Sequence, residues 1–313
     1  MKIRYSFYEL TSKRPIQSKR THVSRHGALL QVEFDDGSVG YADCHPWEEL
    51  GDLPLQTQLD LLKNGRCTRL TARSIYFAKA DAKARANKSN LIESRKIPMS
   101  HYLLTQLDDS ALAEVENAWN QGFTIFKLKL GNELAREEQL LMEILKRWPK
   151  ARLRLDFNGK LNEELLIAFL DRHSNLKHAF DYIEDPYPFN YATWRYAYET
   201  FHVPLAADEF FKAAYGHPEA AQVLVMKPAV QTLKPVDTAQ RLVVTSYLDH
   251  PFGQMTAAYM ASFASNEACG VLSHTVYENN PFAEQIEHKG PYLKAVPGYG
   301  FGFDELLKKL KFV

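Results

Sequence analysis

The segment TIFKLKLG, residues 124–131, alternates apolar and basic side chains before it ends in a glycine. Successive side chains of a β-strand point to opposite sides, so Lys127 and Lys129 share one face of such a strand. The apolar residues between and beside them then share the other face. The segment therefore predicts a strand that carries two lysines on one side and an apolar surface on the other.

Four later segments have the same design, an apolar run that ends in a charged residue. They are RLDFNG, YIEDP, AADEF and VLVMKP, and they carry Asp156, Glu184, Asp208 and Lys227. Successive segments lie about 20 to 30 residues apart, the length of one strand plus one crossover helix. The stretches between them are amphipathic with a helical period. Repeated units of this kind predict a (β/α) barrel of the TIM type, in which the charged strand ends meet on one side.

Side-chain alternation directs the charges of these strands into the predicted barrel. In ARLRLDFNG, Leu153 and Leu155 face the surrounding helices, whereas Arg154 and Asp156 alternate with them and face inward. Burying an unpaired ion costs several kcal/mol, so neighbouring strands must offer opposite charges or a bound metal. The alternative is an antiparallel sheet with solvated charges on one face. Five consecutive segments with complementary charges and helical spacers favour the barrel.

The organisation of the chain changes near residue 95. Before that point, GALLQVEFDDGSVGYADC alternates apolar and polar residues around Asp36 and Gly37, which is a strong hairpin signal. A segment rich in Ala, Lys and Arg follows and predicts a helix. We therefore predict an α+β domain over residues 1–95, with a small antiparallel sheet in its first half, and a barrel domain over residues 96–285.

Composition restricts the class of partner. The chain has 313 residues, of which 38 are basic and 38 acidic, so no net field favours nucleic acid. The basic stretch at residues 13–27 is predicted to be a surface loop. No run approaches the ~20 apolar residues of a membrane span, and three widely spaced cysteines indicate neither disulfides nor zinc. We expect a cytoplasmic protein, monomeric or homo-oligomeric, that binds neither nucleic acid nor membranes.

The charged residues predict a metal-dependent chemistry on a small carboxylate substrate. Asp156, Glu184 and Asp208 form an all-oxygen ligand set that suits Mg²⁺, with Mn²⁺ as the alternative, and neither His nor Cys accompanies them as zinc would require. A chelated carboxylate can lose its α-proton, because the metal stabilises the enediolate that forms. Lys129 can act as the base if the ammonium of Lys127 lowers its pKa. A Schiff-base aldolase would use Lys227 but leave the carboxylates unexplained.

The order KxK, DxN, IEDP, DE and KP, after an N-terminal sheet and helix, resembles the enolase superfamily and within it the muconate-lactonising subgroup. The resemblance covers essentially the whole chain, and it implies that residues 286–313 return to complete a capping domain. The resemblance implies that three carboxylates bind Mg²⁺ and that two lysines lie on opposite faces of the substrate. It also implies that a third lysine adjusts the pKa of the lysine beside it. These residues are Asp156, Glu184 and Asp208 for the metal, and Lys129, Lys227 and Lys127 for the lysines.

Within that subgroup the chain is most similar to the dehydratases, because it is short, its TSYLDHPFGQ segment resembles theirs, and it lacks the DxD of dipeptide epimerases. The resemblance implies that Lys129 removes an α-proton from a cyclohexadiene carboxylate and then helps a hydroxyl group to leave. Lys227 would remain charged against the ring. Asn158 and Ser246 are candidate substrate-binding residues. Racemases, epimerases and cycloisomerases with the same site, and a non-catalytic barrel, are the alternatives.

Two further sequence features could also belong to a site. Asp249 and His274 follow the sixth and seventh barrel strands by our count, where the mandelate-racemase subgroup has an Asp-His dyad. A turn at Asp249 and a structural role for His274 is the simpler interpretation. The segment His45-Pro46-Trp47 resembles a capping-domain loop that closes over the substrate.

Overall fold

The computed structural model describes residues 1–14, 16, 24–232, 239–264 and 266–313. The chain begins with a three-stranded antiparallel sheet, in the order β1, β2, β3, and two helices that cover it. These elements are β1 Lys2–Thr11, β2 Ser24–Glu33, β3 Val39–Cys44, α1 Leu55–Lys63 and α2 Arg69–Ala86. Gly40 allows α2 to lie close to β3, because a Cβ there would be 1.9 Å from the carbonyl oxygen of Ala78. The predicted hairpin and helix are confirmed.

A second set of strands and helices alternates along the rest of the chain. The first of these elements are β4 Tyr102–Leu104, α3 Ala111–Asn120, β5 Ile125–Lys129, α4 Leu134–Arg147, β6 Arg152–Asp156, α5 Glu163–Arg172, β7 Phe180–Glu184 and α6 Tyr191–Phe201. They continue with β8 Leu205–Ala207, α7 Phe211–Ala214, β9 Val223–Met226, β10 Arg241–Val244, α8 Pro251–Ala264, β11 His288–Lys289, β12 Tyr292–Leu293 and α9 Asp304–Leu307.

Strands β4 to β10 form one parallel sheet in chain order, and its two edges are joined. Cys269 bridges to Ser100 ahead of β4, and Gly270 bridges to Thr245 behind β10, both in the parallel sense. Residues 269–270 therefore hold the place of an eighth strand and close the sheet. The predicted fold, a modified (β/α) barrel with an N-terminal α+β cap, is confirmed.

The closed sheet corrects our strand count. Asp249 follows the seventh barrel strand and His274 the eighth, one position later than predicted. Strands as short as β4 and β8, with three residues each, leave little periodic signal in a sequence. Among the described residues no hydrogen bond or ion pair joins these two side chains; Asp249 Oδ1 has no partner, and His274 Nδ1 lies 3.1 Å from Gln254 Oε1.

The predicted alternation of side chains along the barrel strands is confirmed. Phe126, Leu128 and their counterparts on β6 pack in the large core between strands and helices. Arg154 is buried inside the barrel, where its Nε donates to Asp181 Oδ2 at 2.8 Å. A β-bulge shifts the register between Leu153 and Arg154, so that both Asp181 and the ring of Tyr182 lie beside the guanidinium. The buried cation thus has the partner that its burial requires.

The C-terminal segment returns to the N-terminal sheet. Val313 and Tyr5 exchange two backbone hydrogen bonds, of 3.0 and 3.1 Å, and the amide of Asn90 donates to the carbonyls of Val296 and Gly298. The domain limits at residues 95 and 285 remain a prediction.

The predicted loop at residues 13–27 is only partly described. Ser24 to Gly27 belong to β2, so the loop prediction is wrong for these four residues, because they pair with β1. Residues 15 and 17–23 lie outside the described residues. Among the described helices, none is long and apolar enough to cross a membrane.

A buried polar cluster joins the cap to the barrel, and we call Tyr8, Asp43, His45, Asp249 and His250 the interface cluster. The Tyr8 hydroxyl donates to Asp43 Oδ1 at 2.5 Å, and the backbone N–H of His250 donates to Asp43 Oδ2 at 3.1 Å. Within the described chain, neither the carboxylate of Asp43 nor that of Asp249 forms an ion pair with a Lys or Arg. Burial raises the pKa of Asp43 to about 7, and burial together with Asp43 raises that of Asp249.

Candidate active site

The charged strand ends surround a cavity of about 350 Å³ at the carboxyl ends of the barrel strands. All but one of the predicted site residues line it; they are Lys127, Lys129, Asp156, Asn158, Asp208, Lys227 and Ser246. Glu184 lies beneath the surface with 1% of its area exposed. A cavity of this size accommodates a small-molecule substrate. The barrel therefore brings together side chains that are up to 119 positions apart in the sequence, from Lys127 to Ser246.

Three carboxylates in this region lie close enough to share one cation. Glu184, Asp185 and Asp208 each offer an oxygen within 4.8 Å of the others. Glu184 Oε2 is buried and accepts no hydrogen bond from any described residue. A buried carboxylate oxygen without a partner is available to bind a metal ion. A set of oxygen donors suits a hard divalent cation. The residues present therefore fit a divalent metal.

Asp156, the first predicted ligand, is connected to this group through a lysine. The ammonium of Lys127 lies 3.0 Å from Asp156 Oδ2 and 2.7 Å from Glu184 Oε1. The other oxygen of Asp156 accepts from the backbone and side-chain N–H groups of Asn158, at 3.1 and 2.7 Å. Lys227 makes an equivalent ion pair with Asp208. Each predicted metal ligand therefore has a lysine ammonium against it.

Asp185 is a site residue that our sequence reasoning missed. Strand alternation assigns only Glu184 to the interior, but Asp185 leaves the strand with a φ of 40° and its side chain also enters the site. Its carboxylate accepts from the backbone N–H groups of Asp208 at 3.1 Å and Glu209 at 2.8 Å. Asp185 thereby holds the next strand end in position. The paired acids of IEDP were the available signal.

Lys129 differs from the other two lysines of the site. Among the described residues it has neither an ion pair nor a hydrogen bond, whereas Lys127 and Lys227 are both paired. Burial lowers the pKa of Lys129 below its ordinary value, and the ammonium groups of Lys127 and Lys227 lower it further against the effect of Asp156. Burial also opposes the charge of Lys127, but Asp156 and Glu184 outweigh it and raise the pKa of that lysine. Lys129 is therefore the lysine most easily converted to a neutral base.

The cap supplies the outer wall of the cavity. Ile16, Trp47, Leu50 and Arg69 line it from the N-terminal side. Trp47 belongs to the predicted closing segment His45-Pro46-Trp47, and Arg25 stacks on its ring with 3.3 Å between Cζ and the ring centroid. His45 does not line the cavity, because its Nδ1 contacts the Tyr8 hydroxyl at 3.0 Å in the interface cluster.

Comparison with protein families and curated sequences gives concordant results for both parts of the chain. Residues 3–84 match the family described as O-succinylbenzoate synthase, N-terminal domain, and residues 110–306 match the family described as Enolase C-terminal domain-like. The chain is 33% identical to the o-succinylbenzoate synthase of Bdellovibrio bacteriovorus, over 99% of this chain and 97% of that protein. It is 30% identical to the o-succinylbenzoate synthase of Thermosynechococcus vestitus, over 60% and 62%.

Solved structures show the same fold at lower identity. The muconate lactonizing enzyme from Pseudomonas putida aligns with a TM-score of 0.79 at 16% identity and covers 99% of both chains. The L-Ala-D/L-Glu epimerase from Bacillus subtilis aligns with a TM-score of 0.78 at 17% identity, over 96% of this chain and 98% of its own.

Proposed function

The chain belongs to the o-succinylbenzoate synthase family of the enolase superfamily, and from this premise we propose that it converts 2-succinyl-6-hydroxy-2,4-cyclohexadiene-1-carboxylate to 2-succinylbenzoate. The reaction removes water across one carbon–carbon bond and leaves an aromatic ring, a step of menaquinone biosynthesis. One observation carries the proposal from family to mechanism. Lys129, which has a lowered pKa and no ion pair with any described residue, lines the same cavity as Asp156 and Asp208.

Lys129 acts as the base and then as the acid in this proposal. Its neutral amine takes the α-proton from the carbon that bears the ring carboxylate, and the resulting ammonium gives a proton to the departing hydroxyl group. The electron pair of the broken C–H bond forms the new ring double bond as the C–O bond breaks. Water leaves, and Lys129 returns to its neutral form. Because one lysine serves both groups, they leave from the same face of the ring.

We propose Asp156, Glu184 and Asp208 as the ligands of Mg²⁺, with Asp185 beside them; Mn²⁺ fits the same oxygen donors. The bound cation would stabilise the negative charge that develops on the substrate carboxylate as the α-proton leaves. With the carboxylates so engaged, Lys127 is placed to hold a proton near the substrate carboxylate, and Asn158 keeps Asp156 oriented.

Lys227 provides a charged group on the other side of the cavity. It forms an ion pair with Asp208, and an ammonium in that position suits a cation held against the ring. Asn158 and Ser246 line the same cavity and remain our candidates for substrate contacts. A two-base racemase or epimerase would instead need Lys227 to be neutral in its turn.

The test is turnover of the cyclohexadiene substrate, followed by the absorbance of the aromatic product. Protein stripped with a chelator should be inactive and should recover activity when Mg²⁺ is added. In D₂O, the protein should also be incubated with N-acylamino acids, whose α-protons a racemase would exchange. Exchange of those protons without dehydration of the cyclohexadiene would refute the synthase proposal and support the racemase alternative.

A further inference from the structure

We propose that Arg69 binds the second carboxylate of the substrate, the one at the end of the succinyl chain, at the mouth of the cavity. This inference rests on the proposed function, because it concerns the orientation of that dicarboxylate substrate. Arg69 is the first residue of α2, belongs to the cap and lines the cavity. Its side chain is 53% exposed, so the guanidinium is accessible from the cavity.

The guanidinium is held by one edge and leaves another edge available. Nε and Nη2 donate to Asp52 Oδ1 at 3.1 and 3.0 Å, and Nη2 also donates to the carbonyl of Leu50 at 3.1 Å. Nη1 has no hydrogen-bond partner among the described residues. Nη1 thus keeps both of its N–H groups available, and a guanidinium fixed in this way can donate a charge-assisted hydrogen bond to a carboxylate oxygen.

Asp52 fixes the guanidinium to both domains. Its side chain is 1% exposed, and it accepts from the backbone N–H of Trp47 at 3.1 Å and from the hydroxyl of Tyr247 at 2.9 Å. Tyr247 belongs to the barrel segment after β10 and lines the cavity with Trp47. This network thus fixes the position of Arg69 relative to the lysines and carboxylates at the bottom of the cavity, and it does not use Nη1.

The cavity wall around Arg69 matches the chemistry of the succinyl chain. The lining residues from the first 69 positions are Ile16, Trp47, Leu50 and Arg69, three apolar side chains and one cation. The ring carboxylate belongs at the floor, where the lysines and the proposed metal ligands lie. A chain that extends from the ring to the mouth then crosses apolar surface and ends at the guanidinium. A substrate without a second negative charge gains nothing from Arg69.

The test compares two ligands that differ only in the distal group. Isothermal calorimetry in the presence of Mg²⁺ measures the dissociation constants of 2-succinylbenzoate and of 2-butanoylbenzoate, in which a methyl group replaces the distal carboxylate. Arg69→Met should weaken binding of 2-succinylbenzoate by about tenfold or more, the usual effect of one charged hydrogen-bonded pair, and leave 2-butanoylbenzoate nearly unchanged. Arg66→Met, at an exposed arginine three residues earlier that does not line the cavity, is the matched control and should change neither.

A purely structural role of Arg69 would weaken both ligands equally, and that result would overturn the inference while wild-type turnover upheld the proposed function. Wild-type protein that neither binds 2-succinylbenzoate nor turns over the cyclohexadiene would overturn both. Arg69→Lys keeps the charge beside Asp52 but loses the second N–H edge, and it serves where Arg69→Met does not fold. It should again weaken 2-succinylbenzoate selectively, and an equal loss for both ligands would contradict the inference.

Discussion

The position of Lys127 between two buried carboxylates makes its contribution to stability depend on the metal. Its ammonium lies 2.7 Å from Glu184 and 3.0 Å from Asp156, and the three residues are 8%, 1% and 4% exposed. Lys127→Met keeps the length of the side chain but leaves both carboxylates without their shared cation. Breaking a buried ion pair by removing one partner costs about 3–5 kcal/mol.

This cost translates into a measurable melting shift. An unfolding entropy of about 2.1 cal/mol/K per residue corresponds to roughly 0.7 kcal/mol/K for a chain of this length, so the Tm of Lys127→Met should fall by about 5–8 °C without metal. In excess Mg²⁺ the cation supplies the missing positive charge, and the Tm difference from wild type should shrink to less than half. Differential scanning calorimetry in chelator and in Mg²⁺ measures both values.

Lys129→Met is the matched control, because Lys129 lies on the same strand and has no ion pair with any described residue. We expect its Tm to stay within about 2 °C of wild type in both buffers, since Lys129 is only partly buried by surface area and its replacement breaks no ion pair. An equal loss of Tm for Lys127→Met with and without Mg²⁺ would show that the two carboxylates do not share a metal site. A loss for Lys129→Met as large as for Lys127→Met would refute the ion-pair reasoning.

Three further predictions concern activity and pH. Lys129→Ala should reduce kcat by about 10²–10⁴-fold, the usual contribution of a general acid–base group, and full activity in this variant would exclude the proposed mechanism. In the wild type, kcat/KM should rise with pH as Lys129 loses its proton, with a midpoint below the ordinary lysine pKa of about 10.4 because its pKa is lowered; a profile that is flat up to that pKa would contradict this. The contribution of Asp43 to the free energy of unfolding should fall as pH rises from about 4 to about 7, because its folded-state pKa, about 7, lies above the unfolded value of roughly 3.9 and the stabilising proton is lost over that range. The buried His45 and His250, whose pKa values burial lowers to about 3, change the total in the opposite direction. Asp249→Asn removes one of the two carboxylates of the interface cluster, so in urea denaturation its free energy of unfolding relative to wild type should increase with pH and be higher than that of wild type above pH 7. A difference that does not change with pH would argue against the paired carboxylates.

Some of the site was predictable because it depends on local geometry. Strand alternation directs Lys127, Lys129 and Asp156 to one face whatever the rest of the chain does, and the structure places them in one cavity. Asp185 was not predictable from that rule, because a positive φ directly after the strand changes the direction of its side chain. Such a backbone conformation is stabilised by the strand ends around it, which the local sequence does not encode.

The interface cluster and the Arg69 network are the clearest examples of contacts that only the tertiary structure creates. Asp43 accepts a hydrogen bond from the backbone of His250, 207 positions away in the sequence, and Asp52 accepts one from Tyr247, 195 positions away. Neither pair shares a local pattern, since each joins a residue of the cap to a loop of the barrel. The raised pKa values of Asp43 and Asp249 follow from burial between two domains, which no window of the sequence contains.

The sequence by itself determined the barrel, the cap and the set of charged residues that face inward, because strand and helix periods are properties of neighbouring residues. Only the tertiary structure decided which charges are paired. Lys127 and Lys227 contact carboxylates, and Lys129 contacts none among the described residues, because strand register and twist set the distances between side chains on different strands. That pairing separates Lys127, whose pKa is raised by the carboxylates beside it, from Lys129, whose pKa is lowered.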